Sequence, residues 1–261
     1  MSRPLLLALA LAAATTASAA PPPSVRAPVA SPLVELDLVD RDTGQALPEY
    51  RHRGQDWIAG TPGHRYAVRL SNNTGQRVLV VLSVDGVNAV SGQTASPSQA
   101  GYVLAPWEST EIAGWRKSLD DVAQFVFTDL PDSYAARTGR PDDVGVIGIA
   151  VFREAVERPR PILMPAPPPV ASAARAAAGA DRAASAQAES APQSLGTGHG
   201  EREWAPVGQT SFRRASRTPQ QLSQLRYDDV ASLVAQGVLP RQRPQRAPRA
   251  FPQAFVPDPP R

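Results

Sequence analysis

The stretch from residue 196 to residue 203, GTGHGERE, combines three glycines, one histidine and two glutamates. Glycines at this density let backbone N–H groups converge on an anion, or hold a histidine exposed. His199 is therefore a candidate acid, base or metal ligand, with Glu201 or Glu203 as its partner. The pattern is equally typical of a glycine-rich hinge with one solvated histidine. A phosphate-binding loop is excluded, because no strand is predicted before the stretch and no Lys-Ser or Lys-Thr pair follows it.

His52 and His64 are the only other histidines, and they flank a short strand predicted at residues 56–59. A zinc site needs three or four ligands, and the chain has no cysteine, no His-x-His pair and no His-Glu-x-x-His motif. A composite zinc site of His52, His64, Asp56 and His199 is conceivable, but unrelated surface histidines explain the pattern better. We predict no metal and no cofactor. A serine triad also lacks support, because no G-x-S-x-G elbow is present.

Aromatic residues offer another kind of site. Trp57, Trp107 and Trp115 could line a sugar- or peptide-binding face, although aromatic residues in a small β-domain more often pack in its core. We expect all three to be packed. The Tyr-Asp-Asp triplet at residues 227–229 could bind a cation, but it is more simply the N-cap of a helix.

The C-terminal tail is the most plausible interaction element. Arg241, Arg243, Arg246 and Arg249 alternate with proline and glutamine, and guanidinium groups on a stiff chain can grip phosphate or carboxylate groups bidentately. The alternative is a solvated tail without a partner. Residues 34–158 hold 17 acidic and 12 basic residues, whereas residues 159–261 hold 7 and 13. We expect no nucleic-acid partner, because no basic cluster with interleaved aromatics lies in the predicted folded part.

The first residues predict export. Arg3 is followed by an apolar run over residues 5–14 and by Ala-Ser-Ala at residues 17–19, the small-x-small pattern of signal-peptide cleavage. An apolar run of ten residues is too short to span a bilayer, and we expect no transmembrane segment in the mature chain. We therefore predict a signal peptide at residues 1–19 and a periplasmic or secreted protein that begins, after cleavage near Ala19, with a proline-rich leader at residues 20–33.

Proline placement divides the rest of the chain. Residues 34–158 contain six prolines, all between apolar runs, whereas sixteen prolines follow. Residues 78–84 are nearly all apolar and β-branched, which is typical of a central strand, and Asp85-Gly86 between two apolar runs predicts a hairpin. Residues 133–137 are predicted to be briefly helical. Many short strands with regular turn signals predict an all-β fold, a single β-sandwich of immunoglobulin-like or jelly-roll type over residues 34–158.

Beyond the sandwich we predict a disordered Pro/Ala-rich linker at residues 159–194 and a disordered basic Pro/Arg tail at residues 241–261. Between them, residues 195–240 read as an extended stretch followed by a helix that begins at residue 230, with Gly237 and Pro240 as stop signals. A segment of this size is marginal alone. We expect it to dock on the sandwich or to become ordered with a partner.

Several strings resemble an uncharacterised family of exported proteins from Gram-negative bacteria. They are SVDGVNAVSG (83–92), GYVLAPWESTEIAGWRKS (101–118), SYAARTGRPDDVGVIGIAVFRE (133–154) and LGTGHGERE (195–203). The resemblance covers the predicted sandwich and the segment after the linker, and it implies no activity, ligand or catalytic residue.

The sequence favours a non-enzymatic binding or scaffolding protein of the bacterial cell envelope, tethered by its basic tail to anionic envelope components or to another envelope protein. The alternative is a metal-dependent or acid–base hydrolase centred on His199, Glu201 and Glu203. A third interpretation is a subunit of a surface assembly that adds an edge strand to a partner.

Overall fold

The computed structural model describes residues 31–156 and 193–241. The predicted signal peptide, most of the leader and linker, and all of the tail except Arg241 lie outside these residues. No helix in the described part of the chain is long and apolar enough to cross a membrane.

Fourteen strands and two short α-helices make up the described chain. In chain order they are β1 (Val34–Asp40), β2 (Gln45–Ala46), β3 (Glu49–His52), β4 (Gln55–Gly60), β5 (Arg65–Asn72), β6 (Val78–Val84), β7 (Val87–Asn88), β8 (Tyr102–Leu104), β9 (Ser109–Ile112), β10 (Gly114–Arg116), β11 (Asp121–Asp129), α1 (Tyr134–Arg137), β12 (Val146–Arg153), β13 (Leu195–Trp204), β14 (Gln221–Asp229) and α2 (Val230–Ala235). The prediction of an all-β, sandwich-like fold is confirmed.

The strands form two seven-stranded sheets. In the first sheet the order is β10-β11-β5-β1-β2, with β13 paired to β11 and β9 paired to β5. In the second sheet the order is β3-β4-β14-β12-β6-β7, with β8 paired to β6. All of these pairs are antiparallel except β14 with β4, which is parallel.

The two sheets enclose one main apolar core. Leu38, Phe125 and Phe127 contribute to it from the first sheet, and Ile58 and Leu82 from the second. A second apolar cluster forms on the other face of the second sheet, where Leu79, Val81, Ala150 and Phe152 pack with Phe212. Side chains alternate between the faces of a strand, and β6 is apolar at every position except Ser83 because both of its faces are covered.

Local signals in the sequence place the tightest turns. Asp85 and Gly86 have φ angles of 51° and 71°, and they join β6 to β7 with Val84 opposite Val87. Positive φ at both central positions is what a two-residue hairpin turn requires. Ser133 caps α1 by accepting a hydrogen bond from the N–H of Ala136. The predicted hairpin and the predicted short helix are both confirmed.

The C-terminal segment contributes a strand to each sheet. β13 pairs with β11 along its whole length, and β14 lies inside the second sheet between β4 and β12. Asp229 caps α2 by accepting from the N–H groups of Ala231 and Ser232. This goes further than the docking that the sequence predicts, because an internal strand shares its backbone hydrogen bonds with both neighbours.

Candidate functional site

The glycine-rich stretch is a strand and not a loop, so the prediction of an anion-binding or hinge loop is wrong. Residues 196–203 all belong to β13. A Cβ atom added at Gly196 would lie 2.5 Å from the Cβ of Ser133, and one added at Gly200 would lie 2.7 Å from Cγ2 of Val126. Real Cβ atoms do not approach so closely, so these glycines allow neighbouring segments to pack against β13.

A β-bulge separates His199 from Glu203. Residues 200–201 together lie opposite the single residue Gln124 of β11. An extra residue of this kind reverses the alternation of side chains between the two faces of a strand. His199 is opposite Phe125, which points into the core, whereas Glu203 lies on the outer face with Gln124. The strand does not bring the two groups together as an acid–base pair.

Glu203 is committed to an ion pair. Arg41 donates to both of its carboxylate oxygens, from Nη1 at 2.6 Å and from Nη2 at 2.7 Å, and Gln124 donates from Nε2 at 2.6 Å. The hydrogen bonds from Arg41 hold the pKa of Glu203 below its ordinary value. A carboxylate held ionised in this way links β13 to the turn after β1 and is a poor proton donor.

His199 borders a small surface cavity of about 360 Å³. Its ring centroid lies 5.7 Å from that of Tyr134, and Asp132 and Arg137 line the same cavity. Glu201 is exposed, within the bulge. The cavity therefore offers one imidazole and one charge of each sign, without a hydrogen-bonded base partner for the imidazole among the described residues.

The other two histidines are not partners. His52 lies opposite Gln55 in β3, whereas the Nδ1 atom of His64 lies 2.7 Å from Oδ2 of Asp40. Asp56, the third member of the conceivable zinc site, accepts hydrogen bonds from Arg51. The composite site of these residues with His199 does not form in the part of the chain that the structure describes.

Asp40, Asp42 and His64 are the only three residues, among those described, whose potential metal-ligand atoms lie within 4.8 Å of one another. Asp40 already accepts hydrogen bonds from two backbone N–H groups of its turn through Oδ1, and Asp42 accepts from the backbone and the guanidinium of Arg65. Burial would raise the pKa of Asp40, but its hydrogen bonds to His64 and the turn outweigh burial and lower it. Both carboxylates therefore already have hydrogen-bond partners. The guanidinium of Arg65 supplies the positive charge beside Asp42 that a metal ion would otherwise supply.

Among the described residues, four buried side chains form one hydrogen-bond network. The Tyr66 hydroxyl lies 2.6 Å from Oγ1 of Thr197, which lies 2.7 Å from the Tyr227 hydroxyl. Tyr227 donates to Oδ1 of Asp85 at 2.6 Å, and the N–H groups of Gly145 and Thr197 donate to the same carboxylate at 3.0 and 2.8 Å. These four side chains are fully buried. The network joins both sheets through β5, β13, β14 and the hairpin turn.

The hydrogen bonds of the network are donated in one direction, from Tyr66 towards Asp85. Because Tyr227 gives its proton to Asp85, its oxygen accepts from Thr197, whose oxygen accepts from Tyr66. Burial raises the pKa of Asp85 to about 6, against the lowering effect of the hydrogen bonds from Tyr227, Thr197 and Gly145. Burial likewise raises the pKa of both tyrosines well above their ordinary value. Because these groups have no access to solvent, their role is to stabilise the fold. Sequence patterns did not reveal them, because the partners are 30 to 142 residues apart.

The tryptophans divide between core and surface. Trp57 and Trp115 are 7% and 3% exposed, as predicted. Trp107 is 71% exposed, so the prediction that it packs is wrong. It has a φ angle of 62° in the turn before β9, and this turn directs the ring away from the core. Trp204, at the end of β13, is 73% exposed.

The largest of the surface cavities that we describe is a groove of about 980 Å³ beside β8. Tyr102, Glu108 and Lys117 line it together with residues 206–210. Arg116 fixes one wall, since its guanidinium donates to the Tyr102 hydroxyl and to the carbonyl oxygens of Leu119 and Ala205. The groove has the volume of a ligand pocket, and its lining mixes polar and apolar side chains.

The remaining predicted residues lie at or beyond the end of the described chain. Arg241 is exposed, and Arg243, Arg246 and Arg249 fall outside the described residues. In the Tyr-Asp-Asp triplet, Tyr227 belongs to the buried network and Asp229 caps α2, as the simpler interpretation predicts. Comparisons of the chain with protein-family models, curated proteins and solved structures gave no significant match.

Proposed function

We propose that this chain is a non-enzymatic, exported binding or scaffolding protein of the bacterial cell envelope. In this proposal the sandwich is the binding or scaffolding module, and the basic tail at residues 241–261 attaches the protein to anionic envelope components. The signal-peptide pattern at residues 1–19 supports export to the periplasm or beyond.

The proposal rests on the point in the chain where the described strands and helices end. β14 ends at Asp229, and α2 ends with the backbone N–H groups of Val238 and Leu239 both donating to the carbonyl oxygen of Leu233. Gly237, with a φ angle of 76°, makes this turn. The described strands and helices therefore use the chain up to residue 239, and Arg241 follows them in the sequence.

Charge separates the body from the tail. Residues 34–158 carry an excess of acidic residues, whereas residues 241–261 carry five arginines and one aspartate. An acidic body is repelled by an anionic surface and a basic tail is attracted to it, so attachment through the tail leaves the sandwich facing away from the surface. Phosphate groups of phospholipids and lipopolysaccharide, and acidic wall polymers, are the ligands that guanidinium groups bind bidentately.

The groove beside β8 is the surface at which the sandwich itself would take a ligand. Lys117, the only lysine of the chain, is exposed in its lining. The wall formed by residues 206–210 is anchored next to it, because Ala205 and Val207 donate backbone hydrogen bonds to the β10–β11 turn. Hydrogen bonds thus fix both walls of the groove, and fixed walls suit the binding of a ligand.

Purified full-length protein should sediment with vesicles that contain phosphatidylglycerol and not with vesicles of phosphatidylcholine alone. Each basic residue near an anionic membrane contributes about 1 kcal/mol, and this attraction is screened by salt. We therefore expect ~0.5 M salt to release the protein, and replacement of Arg241, Arg243, Arg246 and Arg249 by glutamine to lower binding at least about ten-fold.

Lys117→Glu is the matched control, because it changes a charge in the groove and leaves the tail intact. Vesicle binding should survive it. Binding that is lost in Lys117→Glu and retained in the glutamine variant would assign the anionic ligand to the groove and contradict the tether. Stoichiometric zinc in the purified protein that disappears in His199→Ala would instead support the hydrolase.

A further inference from the structure

Among the strands that the structure describes, β3 is an edge strand of the second sheet with one free side. Its four residues pair only with β4 among the described strands, and all four are exposed or half-buried. The hairpin turn between β3 and β4 is Arg53-Gly54, with φ angles of 49° and 80°. A free strand edge presents unpaired backbone groups that can pair with another strand.

The turn determines which backbone groups face outward. In a two-residue turn with positive φ at both positions, the flanking residues exchange hydrogen bonds, and here these residues are His52 and Gln55. Hydrogen-bonded and non-hydrogen-bonded pairs alternate along an antiparallel ladder. Tyr50 therefore also bonds to β4, and the N–H and C=O groups of Glu49 and Arg51 point to the free side.

A second β3 strand can satisfy these groups in one antiparallel register. If Tyr50 lies opposite Tyr50 of a second copy, Glu49 lies opposite Arg51 of that copy, and each such pair exchanges two backbone hydrogen bonds. The register is its own two-fold image, which is the geometry of a closed dimer. It also puts opposite charges directly across from each other, twice.

The charges around β3 favour this partner. Glu49 is surrounded by Glu35, Asp37 and Asp56, and the pKa of Glu49 is raised by burial and by these acidic neighbours. Arg51 contacts Asp56 through Nη1 alone, at 2.8 and 2.7 Å, so its Nη2 and Nε atoms are available for a second carboxylate. Glu49 of one copy thus lies among acidic groups, and Arg51 of the other copy can supply the opposite charge.

We propose that β3 is a self-association edge, at which two copies of this chain join their second sheets through antiparallel β3 strands with Tyr50 on the two-fold axis. The proposal does not depend on the function of the tail. Four-residue strands bury little area, and the dimer is therefore weak and concentration-dependent.

A single cysteine reports the register directly, because the chain contains none. In the proposed register, residue 50 of the two copies forms a non-hydrogen-bonded pair with Cα atoms about 4.5 Å apart, which is within disulfide range. Tyr50→Cys should cross-link into a dimer under mild oxidation. His52→Cys is the matched control, since in this register the two copies of residue 52 are about 14 Å apart along the strands, and it should stay monomeric.

Charge reversal tests the pairing without a covalent bond. Glu49→Arg places arginine opposite Arg51 of the partner, and Arg51→Glu places glutamate opposite Glu49. Each should weaken the dimer about ten-fold in sedimentation equilibrium. An equimolar mixture of the two variants restores opposite charges across both positions, and it should form heterodimers at wild-type strength. Arg53→Glu, in the turn, should leave association unchanged.

Three outcomes would overturn the proposal. The first is a full chain that stays monomeric up to ~1 mM and whose Tyr50→Cys variant cross-links no faster than His52→Cys. The second is a dimer that survives both charge reversals and gains nothing from mixing them. The third is a Tyr50→Cys variant that cross-links in cells only to other proteins, which would assign the edge to a foreign strand.

Discussion

At the scale of single residues, Asp85 connects a local turn to segments that are distant in the chain. It has a positive φ angle in a turn and, while fully buried, accepts three hydrogen bonds, one each from Gly145 before β12, Thr197 in β13 and Tyr227 in β14. The residues next to Asp85 in the sequence reveal only its role in the turn, because an Asp-Gly pair predicts a turn wherever it occurs. The second role depends on Thr197 and Tyr227, which reach Asp85 only when both C-terminal strands are in place.

Asp85 should make stability depend on pH. Its pKa is raised from 3.8 to about 6 in the folded protein, so the folded state binds the proton more tightly than the unfolded chain. The free energy of unfolding should therefore fall by about 3 kcal/mol as pH rises from about 4 to about 6, and this contribution should be constant above pH 7.

Asp85→Asn removes this titration and keeps a residue that tolerates positive φ. Urea unfolding at several pH values should show that the difference in stability between the wild type and Asp85→Asn changes across pH 4 to 6. Asp143→Asn, a substitution of an exposed carboxylate next to the same turn, should leave the wild-type curve unchanged. A constant difference between wild type and Asp85→Asn would show that Asp85 does not titrate in this range.

At the scale of elements, the sequence predicts those features that depend on residues close together in the chain. The nearly continuous apolar run of β6, the hairpin at residues 85–86, the short helix predicted at residues 133–137 and the cap of α2 are all local, and all are confirmed. The bulge at residues 200–201 is invisible in the sequence, because it exists only relative to β11. The parallel pairing of β14 with β4 is invisible for the same reason, since their paired residues are 169 positions apart.

The glycines of β13 should be needed for packing. Gly196→Ala brings a methyl group within 2.5 Å of the Cβ of Ser133 and 2.7 Å of Val144, and overpacking of this kind costs about 1–3 kcal/mol. Chemical denaturation should show this loss.

Gly148→Ala is the control in β12, where the nearest atom would be at 3.7 Å. It should change stability by less than about 1 kcal/mol. If Gly196→Ala were as stable as the wild type, β13 would not pack against the segment that carries Ser133 and α1.

At the scale of the whole molecule, the described residues form two packed sheets, and the candidate chemical groups lie apart from one another. His199 and Glu203 are on opposite faces of a sheet, His64 is held by Asp40, and the buried network is sealed. Five arginines follow these residues in the sequence at positions 241–261. Function in our account therefore comes from surfaces, namely the tail, the groove and the β3 edge.

The most direct test of this account is fractionation of cells that produce either the full chain or a chain ending at Pro240, which keeps both sheets and α2. The full chain should be found with the envelope and be released by ~0.5 M salt, whereas the shortened protein should be recovered folded in the soluble fraction. Identical fractionation of the two proteins would contradict it.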